Sequence, residues 1–413
     1  MRSPTALRLV LAVLALAGCR ATEAAEGPQD FGRTDRGRYL TIVGDCAACH
    51  TQQGSSQQFA GGRPIETPFG TLLAPNITPD RETGIGAWTD DEFVGALTRG
   101  TGRGGAHLYP AMPYPSMTKL SRDDALTIRA YLNSVPPAHH PVVANQLPFP
   151  FSIRLGMAAW DALYFTPGAF QPVAGKSEEW NRGAYLVEGP MHCGACHTPK
   201  NFLGGDKSAS HLQGYALQGW FAPNITNDAR SGLGHWTTGE IVAYLKSGHT
   251  AGAAASGPMA EEVALSSSKM ADADLQAVAV YLKDQPGQDQ PAPAAPSDTV
   301  MTAGAAIYAD ECSACHASTG TGVPGLFPAL AGASGVQSSD PASLLHVVLR
   351  GTRSVATETA PTAPAMPSFA WLLSDDQVAA VATYVRNAWG NAAPAVTGSD
   401  VGHARRDLAE RTD

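Results

Sequence analysis

The sequence predicts a mainly α-helical protein built from three tandem units. A Cys-x-x-Cys-His motif occurs three times in the 413 residues, within DCAACHT (45–51), MHCGACHTPK (191–200) and ECSACHA (311–317). The first two units form a visible repeat, because APNIT at 74–78 returns at 222–226, 148 residues later. The Pro/Ala-rich stretch QDQPAPAAPSD (288–298) is typical of a linker before a third unit.

Each unit has the same predicted plan. A short helix leads into the motif, a long loop follows, and a closing helix carries an aromatic side chain, which is Tyr131, Tyr281 or Tyr384. We expect the first and closing helices to cross closely at Gly37, Gly183 and Gly304, where no side chain separates the backbones. Capping boxes begin helices after Thr89, Thr237 and Ser374, which have Glu92, Glu240 and Gln377 three residues later.

The N-terminus resembles an export signal. Arg2 and Arg8 precede the short apolar core LVLAVLALAG (9–18), and Leu16-Ala17-Gly18-Cys19 resembles a bacterial lipoprotein box. We therefore predict lipidation of Cys19 and a mature protein outside the cytoplasm. The alternative is an ordinary signal peptide that is cut a few residues later.

The segment between the first two units has more than one interpretation. Residues 148–170 have an apolar helical pattern broken by Arg154 and Asp161, which fits partner docking, a membrane-surface element or interdomain packing.

The composition of the chain predicts its divisions. These are a signal peptide (1–18), a lipid-anchored tether (19–32), a first domain (33–140), an interdomain segment (141–175), a second domain (176–287), a Pro/Ala linker (288–299), a third domain (300–391) and a disordered tail (392–413).

The motif is the attachment signature of c-type haem. Its two cysteine thiols add to the haem vinyl groups, and the next residue directs its imidazole at the iron. Zinc would need four ligands at each site, and a redox dithiol belongs to a βαβ pattern that is absent here. The sequence therefore predicts three covalently bound haem c groups, attached through Cys46, Cys49, Cys193, Cys196, Cys312 and Cys315, with His50, His197 and His316 as iron ligands.

The repeat locates the sixth iron ligands. Methionine is the usual partner and raises the reduction potential. Met112 and Met259 each lie 62 residues after their motif histidine, and Met366 lies 50 residues after His316. Met117 stays open as a second choice for the first haem. Met270 and Met301 are predicted not to bind iron, and His107 and His249 are the alternative ligands of a bis-histidine arrangement.

Composition and motifs exclude several other functions. The net charge of −9 argues against a nucleic-acid-binding protein. The sequence has no dinucleotide-binding fingerprint, phosphate loop or nucleophile elbow. With two protein ligands on each iron, we expect electron transfer and no catalytic residues.

The chain resembles the three-haem cytochrome c subunits of bacterial membrane-bound dehydrogenases that act on alcohol, gluconate, sorbitol or aldehyde. The resemblance rests on GRYLTIVGDCAACHT, APNIT, GPMAEEV and AMPSFAW in this order, and covers about 33 to 390. It implies three tandem class I cytochrome c-like domains, each around one haem, with Met112, Met259 and Met366 as ligands. It also implies a flavo-, quino- or molybdoprotein dehydrogenase partner and ubiquinone or a terminal acceptor. The alternatives are a free-standing periplasmic carrier and a haem oxidoreductase acting alone.

Overall fold

Short helices make up most of the regular structure in the computed structural model, which describes residues 31–288 and 291–411. The helices of the first unit are α1 (Phe31–Val43), α2 (Cys46–His50), α3 (Asp90–Arg99), α4 (Tyr114–Met117) and α5 (Arg122–Ser134), followed by α6 (Gly156–Tyr164) in the interdomain segment. The second unit contains α7 (Glu178–Glu188), α8 (Cys193–His197), α9 (Thr238–Ser247), α10 (Gly257–Leu265) and α11 (Asp272–Lys283).

The third unit has α12 (Asp298–Ile307), a π-helical turn (Tyr308–Cys312), α13 (Ser313–His316), α14 (Ala342–Arg350), α15 (Asp375–Asn387) and α16 (Gly398–Ala409). Each unit also has one antiparallel two-stranded hairpin. These hairpins pair β1 (Pro64–Thr67) with β2 (Gly70–Leu73), β3 (Tyr215–Leu217) with β4 (Trp220–Ala222), and β5 (Thr352–Arg353) with β6 (Ala365–Met366). Among the described residues, no helix is both long and apolar enough to span a membrane.

The predicted helix crossings are confirmed. The first helix of each unit packs on the closing helix: α1 on α5, α7 on α11 and α12 on α15. A Cβ atom added to Gly37, Gly183 or Gly304 would overlap a backbone carbonyl of the partner helix. The predicted capping boxes are also confirmed at the starts of α3, α9 and α15.

Reciprocal hydrogen bonds join the first two units. Tyr39 in α1 donates its hydroxyl to Asp274 at 2.6 Å, and the repeat-related Tyr185 in α7 donates to Asp124 at 2.5 Å. Val43 at the end of α1 is buried in the hydrophobic core of the second unit. The two bonds thus join repeat-related positions in opposite directions across the contact between the units.

The interdomain segment packs between the first two units. Trp160 of α6 is buried, lies edge-on to Tyr114 of the first unit, and donates its indole N–H to the carbonyl of Leu203 in the second unit at 2.9 Å. Interdomain packing is thus confirmed for this helix. Phe149 and Leu155 are largely exposed, and nothing tests the docking alternatives for that part.

Two predicted boundaries are wrong. The tail after Asn391 was predicted to be disordered, but α16 begins at a capping box of Thr397 and Asp400 and buries Val401 and Leu408 against the third unit. The polar composition concealed this one apolar stripe. At the other end, α1 begins at Phe31, inside the predicted 19–32 tether. The signal peptide and Cys19 lie outside the described residues.

Leu408 gives a test of the role of α16. The side chain is 4% exposed and belongs to the core of the third unit. We expect Leu408→Ala to lower the free energy of unfolding by about 2–4 kcal/mol, because it removes buried methyl groups and leaves a cavity. Thermal and urea unfolding would measure the loss. Asp407→Ala, on the exposed side of α16, should change stability by less than about 0.5 kcal/mol, and equal losses in both variants would contradict the assignment.

Candidate haem sites

The three motifs lie on one-turn helices that begin at a cysteine or one residue after it. Asp45 and His192 precede α2 and α8 in the left-handed region, with φ values of 46° and 41°, and this turns the chain sharply into the motif. The third motif is entered through the π-helical turn at Tyr308–Cys312 instead. In all three, the motif histidine is the last residue of its helix.

Each motif histidine is oriented by a proline carbonyl. The Nδ1 atoms of His50 and His197 lie 2.7 Å from the carbonyl oxygens of Pro75 and Pro223. His316 makes the same contact with Pro328 at 3.1 Å. An imidazole that donates from Nδ1 to a carbonyl presents an unprotonated Nε2, the atom needed for a metal bond. Three sites therefore share the second contact expected of iron-ligating histidines.

The APNIT repeat explains how two of these proline carbonyls, those of Pro75 and Pro223, are held in position. The side-chain oxygen of Asn76 accepts hydrogen bonds from the backbone N–H and hydroxyl of Thr78, and Asn224 does the same for Thr226. These local turns hold the preceding proline in place. The sequence showed the repeat but not its purpose, and it gave no signal for Pro328 in the third unit.

Burial lowers the pKa of His50, His197 and His316 despite the opposing effect of the carbonyl contacts. The imidazoles are thus neutral, which is the form that binds iron. Burial also raises the pKa of Cys46 to about 12 and of Cys49 to about 11. A redox dithiol needs a depressed thiol pKa, so these cysteines do not fit that alternative.

The zinc alternative also finds no support within the described part of the chain. There, no three His, Cys, Asp or Glu side chains are grouped so as to hold a metal ion, and the six motif cysteines form no disulfides. All six thiols are thus available for thioether bonds. Together with the oriented, neutral histidines, the residues present fit haem c.

The methionines differ in burial. Met112, Met259 and Met366 are partly exposed and pack at the edges of the three cores. Met117 and Met270 are inside the cores, at 3% and 1% exposure. A methionine at a core edge can turn its sulfur toward a cofactor, whereas a core methionine fills space. The assignment of Met112, Met259 and Met366 as ligands stays a prediction.

The alternative histidine ligands have other neighbours. The Nε2 atom of His249 lies 3.0 Å from the carbonyl oxygen of Val355 in the third unit. The Nδ1 atom of His107 is buried without a hydrogen bond, 3.6 Å from Asp161. The hydrogen bond of His249 does not favour iron binding. Iron binding by His107 stays an open alternative.

Glu262 gives a pH-dependent test of the second site. Burial raises its pKa to about 7, although a hydrogen bond from Ser267 at 2.9 Å partly opposes the shift. The unfolded chain releases this proton near pH 4.5, so stability falls as the pH rises from there to about 7 and is constant above. We expect stability to fall by roughly 2 kcal/mol. This is less than the full free energy of such a pKa shift, because part of the Glu262 side chain stays in contact with solvent. In urea unfolding, Glu262→Gln should show a fall smaller by this amount, and the rest comes from Asp45, whose pKa burial raises to about 8. Exposed Glu179→Gln should keep the wild-type fall, and a Glu262→Gln protein with the full wild-type fall would contradict the assignment.

Comparisons with known proteins agree with this chemistry. A family model for cytochrome c matches residues 34–136 and 301–389. The cytochrome c subunit of gluconate 2-dehydrogenase from Pantoea cypripedii is 39% identical over 430 aligned positions, covering 97% of this chain and 95% of that protein. Two further relatives are each 37% identical to this chain. The cytochrome c subunit of alcohol dehydrogenase (quinone) from Gluconacetobacter polyoxogenes aligns over 96% of this chain and 89% of its own length. The fructose dehydrogenase cytochrome subunit from Gluconobacter japonicus aligns over 98% of this chain and 89% of its own length.

Proposed function

Because the chain belongs to the family of dehydrogenase cytochrome c subunits, we propose that it carries electrons through three haems from a partner dehydrogenase subunit to ubiquinone or a terminal acceptor at the membrane. Members of this family are electron-transfer subunits rather than catalytic ones, and the family cofactor is covalently bound haem c. The observation that carries the count of three is the proline carbonyl that orients the histidine of every motif.

The residues of each site have distinct roles in this proposal. The cysteine thiols hold the haem by two thioether bonds, and the histidine binds iron through Nε2. A methionine sulfur would be the second protein ligand of each iron and would raise the reduction potential. Haem supplies the one-electron chemistry when bound, while the protein sets its orientation and potential. The proposed iron ligands are His50 with Met112, His197 with Met259, and His316 with Met366.

The location and the partner also belong to the proposal. We place the mature protein on the periplasmic side of a bacterial membrane, anchored by lipid on Cys19. Because bacterial lipoproteins carry more than one acyl chain, the anchor would be stable. The partner is a flavo-, quino- or molybdoprotein dehydrogenase subunit, and the relatives' names direct the search toward sugars, sugar acids and alcohols.

Affinity purification from detergent-solubilised native membranes tests the proposal. We expect a dehydrogenase subunit to co-purify, and one substrate from a panel of alcohols, aldehydes, sugars and sugar acids to reduce the haems. A three-haem protein that purifies alone and stays oxidised throughout the panel would contradict the dehydrogenase assignment and favour a free-standing carrier.

A further inference from the structure

Arg63 and Glu261 form an ion pair between the first and second units. Arg63 immediately precedes β1, and Glu261 lies in α10, two residues after Met259. Arg63 Nη2 donates to Glu261 Oε2 at 2.8 Å, and Nη1 donates to Oε1 of the same carboxylate. The two side chains are only 26% and 33% exposed. A planar guanidinium that engages both carboxylate oxygens fixes orientation as well as distance.

Near each of the other two proposed methionine ligands, the side chain two residues later also makes a hydrogen bond. Tyr114, two residues after Met112, donates its hydroxyl to Asp161 of α6 at 2.6 Å. Ser368, two residues after Met366, donates its hydroxyl to the carbonyl of Leu349 at 2.6 Å. A side chain two residues after each methionine thus holds the segment that carries the methionine in place. In the second unit that side chain is Glu261, and its partner, Arg63, belongs to the first unit.

The helix that carries Met259 depends on such outside contacts. α10 has nine residues, begins at Gly257 with φ of 55°, and has no side-chain capping bond from Ser256. The preceding stretch AGAAASG (251–257) offers no large side chain to pack. Helices of this length are marginal by themselves. α10 packs against α2 of the first unit, which is the helix that bears the first haem motif.

We propose that Arg63 of the first unit is a positioning residue for the methionine ligand of the second haem. By holding Glu261, Arg63 would keep α10, and with it Met259, in the position from which the sulfur could bind the iron. The first unit therefore controls the ligation and the reduction potential of the second haem. The inference rests on the proposed ligation by His197 and Met259.

The test uses the mature, haem-loaded full chain with Arg63→Ala, Arg63→Lys and the charge swap Arg63→Glu with Glu261→Arg. Difference spectra against Met259→Ala identify the methionine-to-iron charge-transfer absorption of the second haem. We expect Arg63→Ala to weaken this absorption, lower the potential of that haem and tighten imidazole binding to it roughly tenfold, the size of one lost charge-assisted hydrogen bond. Arg63→Lys should retain part of the wild-type absorption and potential of the second haem, and the charge swap should retain most of both.

Arg405→Ala is the matched control. Arg405 pairs with Asp375 at 2.9 Å in the third unit, at a similar exposure of 32% and 41%. Its loss should leave the second haem unchanged. The inference is overturned if Arg63→Ala leaves the second haem as in the wild type, or if Arg405→Ala alters it equally. If Met259→Ala itself changes no haem absorption, the proposed ligation fails and the inference fails with it.

Discussion

Gly183→Val should destabilise the second unit by at least about 3 kcal/mol. Gly183 is buried where α7 crosses α11, and even a Cβ atom there would overlap the carbonyl oxygen of Ala277. Backbone cannot move aside as a flexible side chain can, so the helices must separate and expose their shared core. Urea unfolding followed by circular dichroism would give the loss in free energy.

Gly252 provides the control for this substitution. A Cβ atom added there meets no atom within 4 Å. We expect Gly252→Ala to change the free energy of unfolding by less than about 0.5 kcal/mol. If Gly183→Val were equally harmless, the close crossing of α7 and α11 would not be the element that holds the unit together.

Met259→Ala should lower the potential of the second haem by an amount on the order of 100 mV, since axial ligands set haem potentials over a range of ~0.8 V. Loss of the methionine sulfur removes the iron ligand that favours the reduced state of the haem. A spectroscopic redox titration should show one of three components shifted downward. The methionine-to-iron absorption should fall by about one third, because one haem of three loses its ligand.

Met270→Leu separates ligation from packing. Met270 is 1% exposed in the same core and is not a proposed ligand. Leucine fills a similar volume, so stability should change by less than about 1.5 kcal/mol and the potentials should not move. A potential shift in Met270→Leu, with none in Met259→Ala, would mean that Met270 and not Met259 is the iron ligand of the second haem.

The sequence predicted the local features that repeat. The glycines at the helix crossings and the capping boxes act through short-range backbone geometry, so a pattern of a few residues was enough to identify them. The motif histidines were equally visible. Their neutral state and the orientation of Nδ1 required the structure, because burial and the partner carbonyls come from residues 12 to 26 positions away.

Long-range pairings were beyond the sequence. The bond between Tyr39 and Asp274 joins residues 235 positions apart, and that between Arg63 and Glu261 joins residues 198 apart. No local pattern marks either pair. The helix at 398–409 was missed for a different reason: its buried stripe holds only a few apolar side chains, and the surrounding residues resemble a solvated tail.

The haem content of the purified mature protein decides between two and three haem groups. The cytochrome c family model matches residues 34–136 and 301–389, so the second unit is where the count is decided. Pyridine haemochrome and iron analysis, with mass spectrometry of the intact chain, should give three haems per polypeptide, and His197→Ala should perturb only one. Two haems in the wild-type protein, with none on Cys193 and Cys196, would contradict the three-haem account.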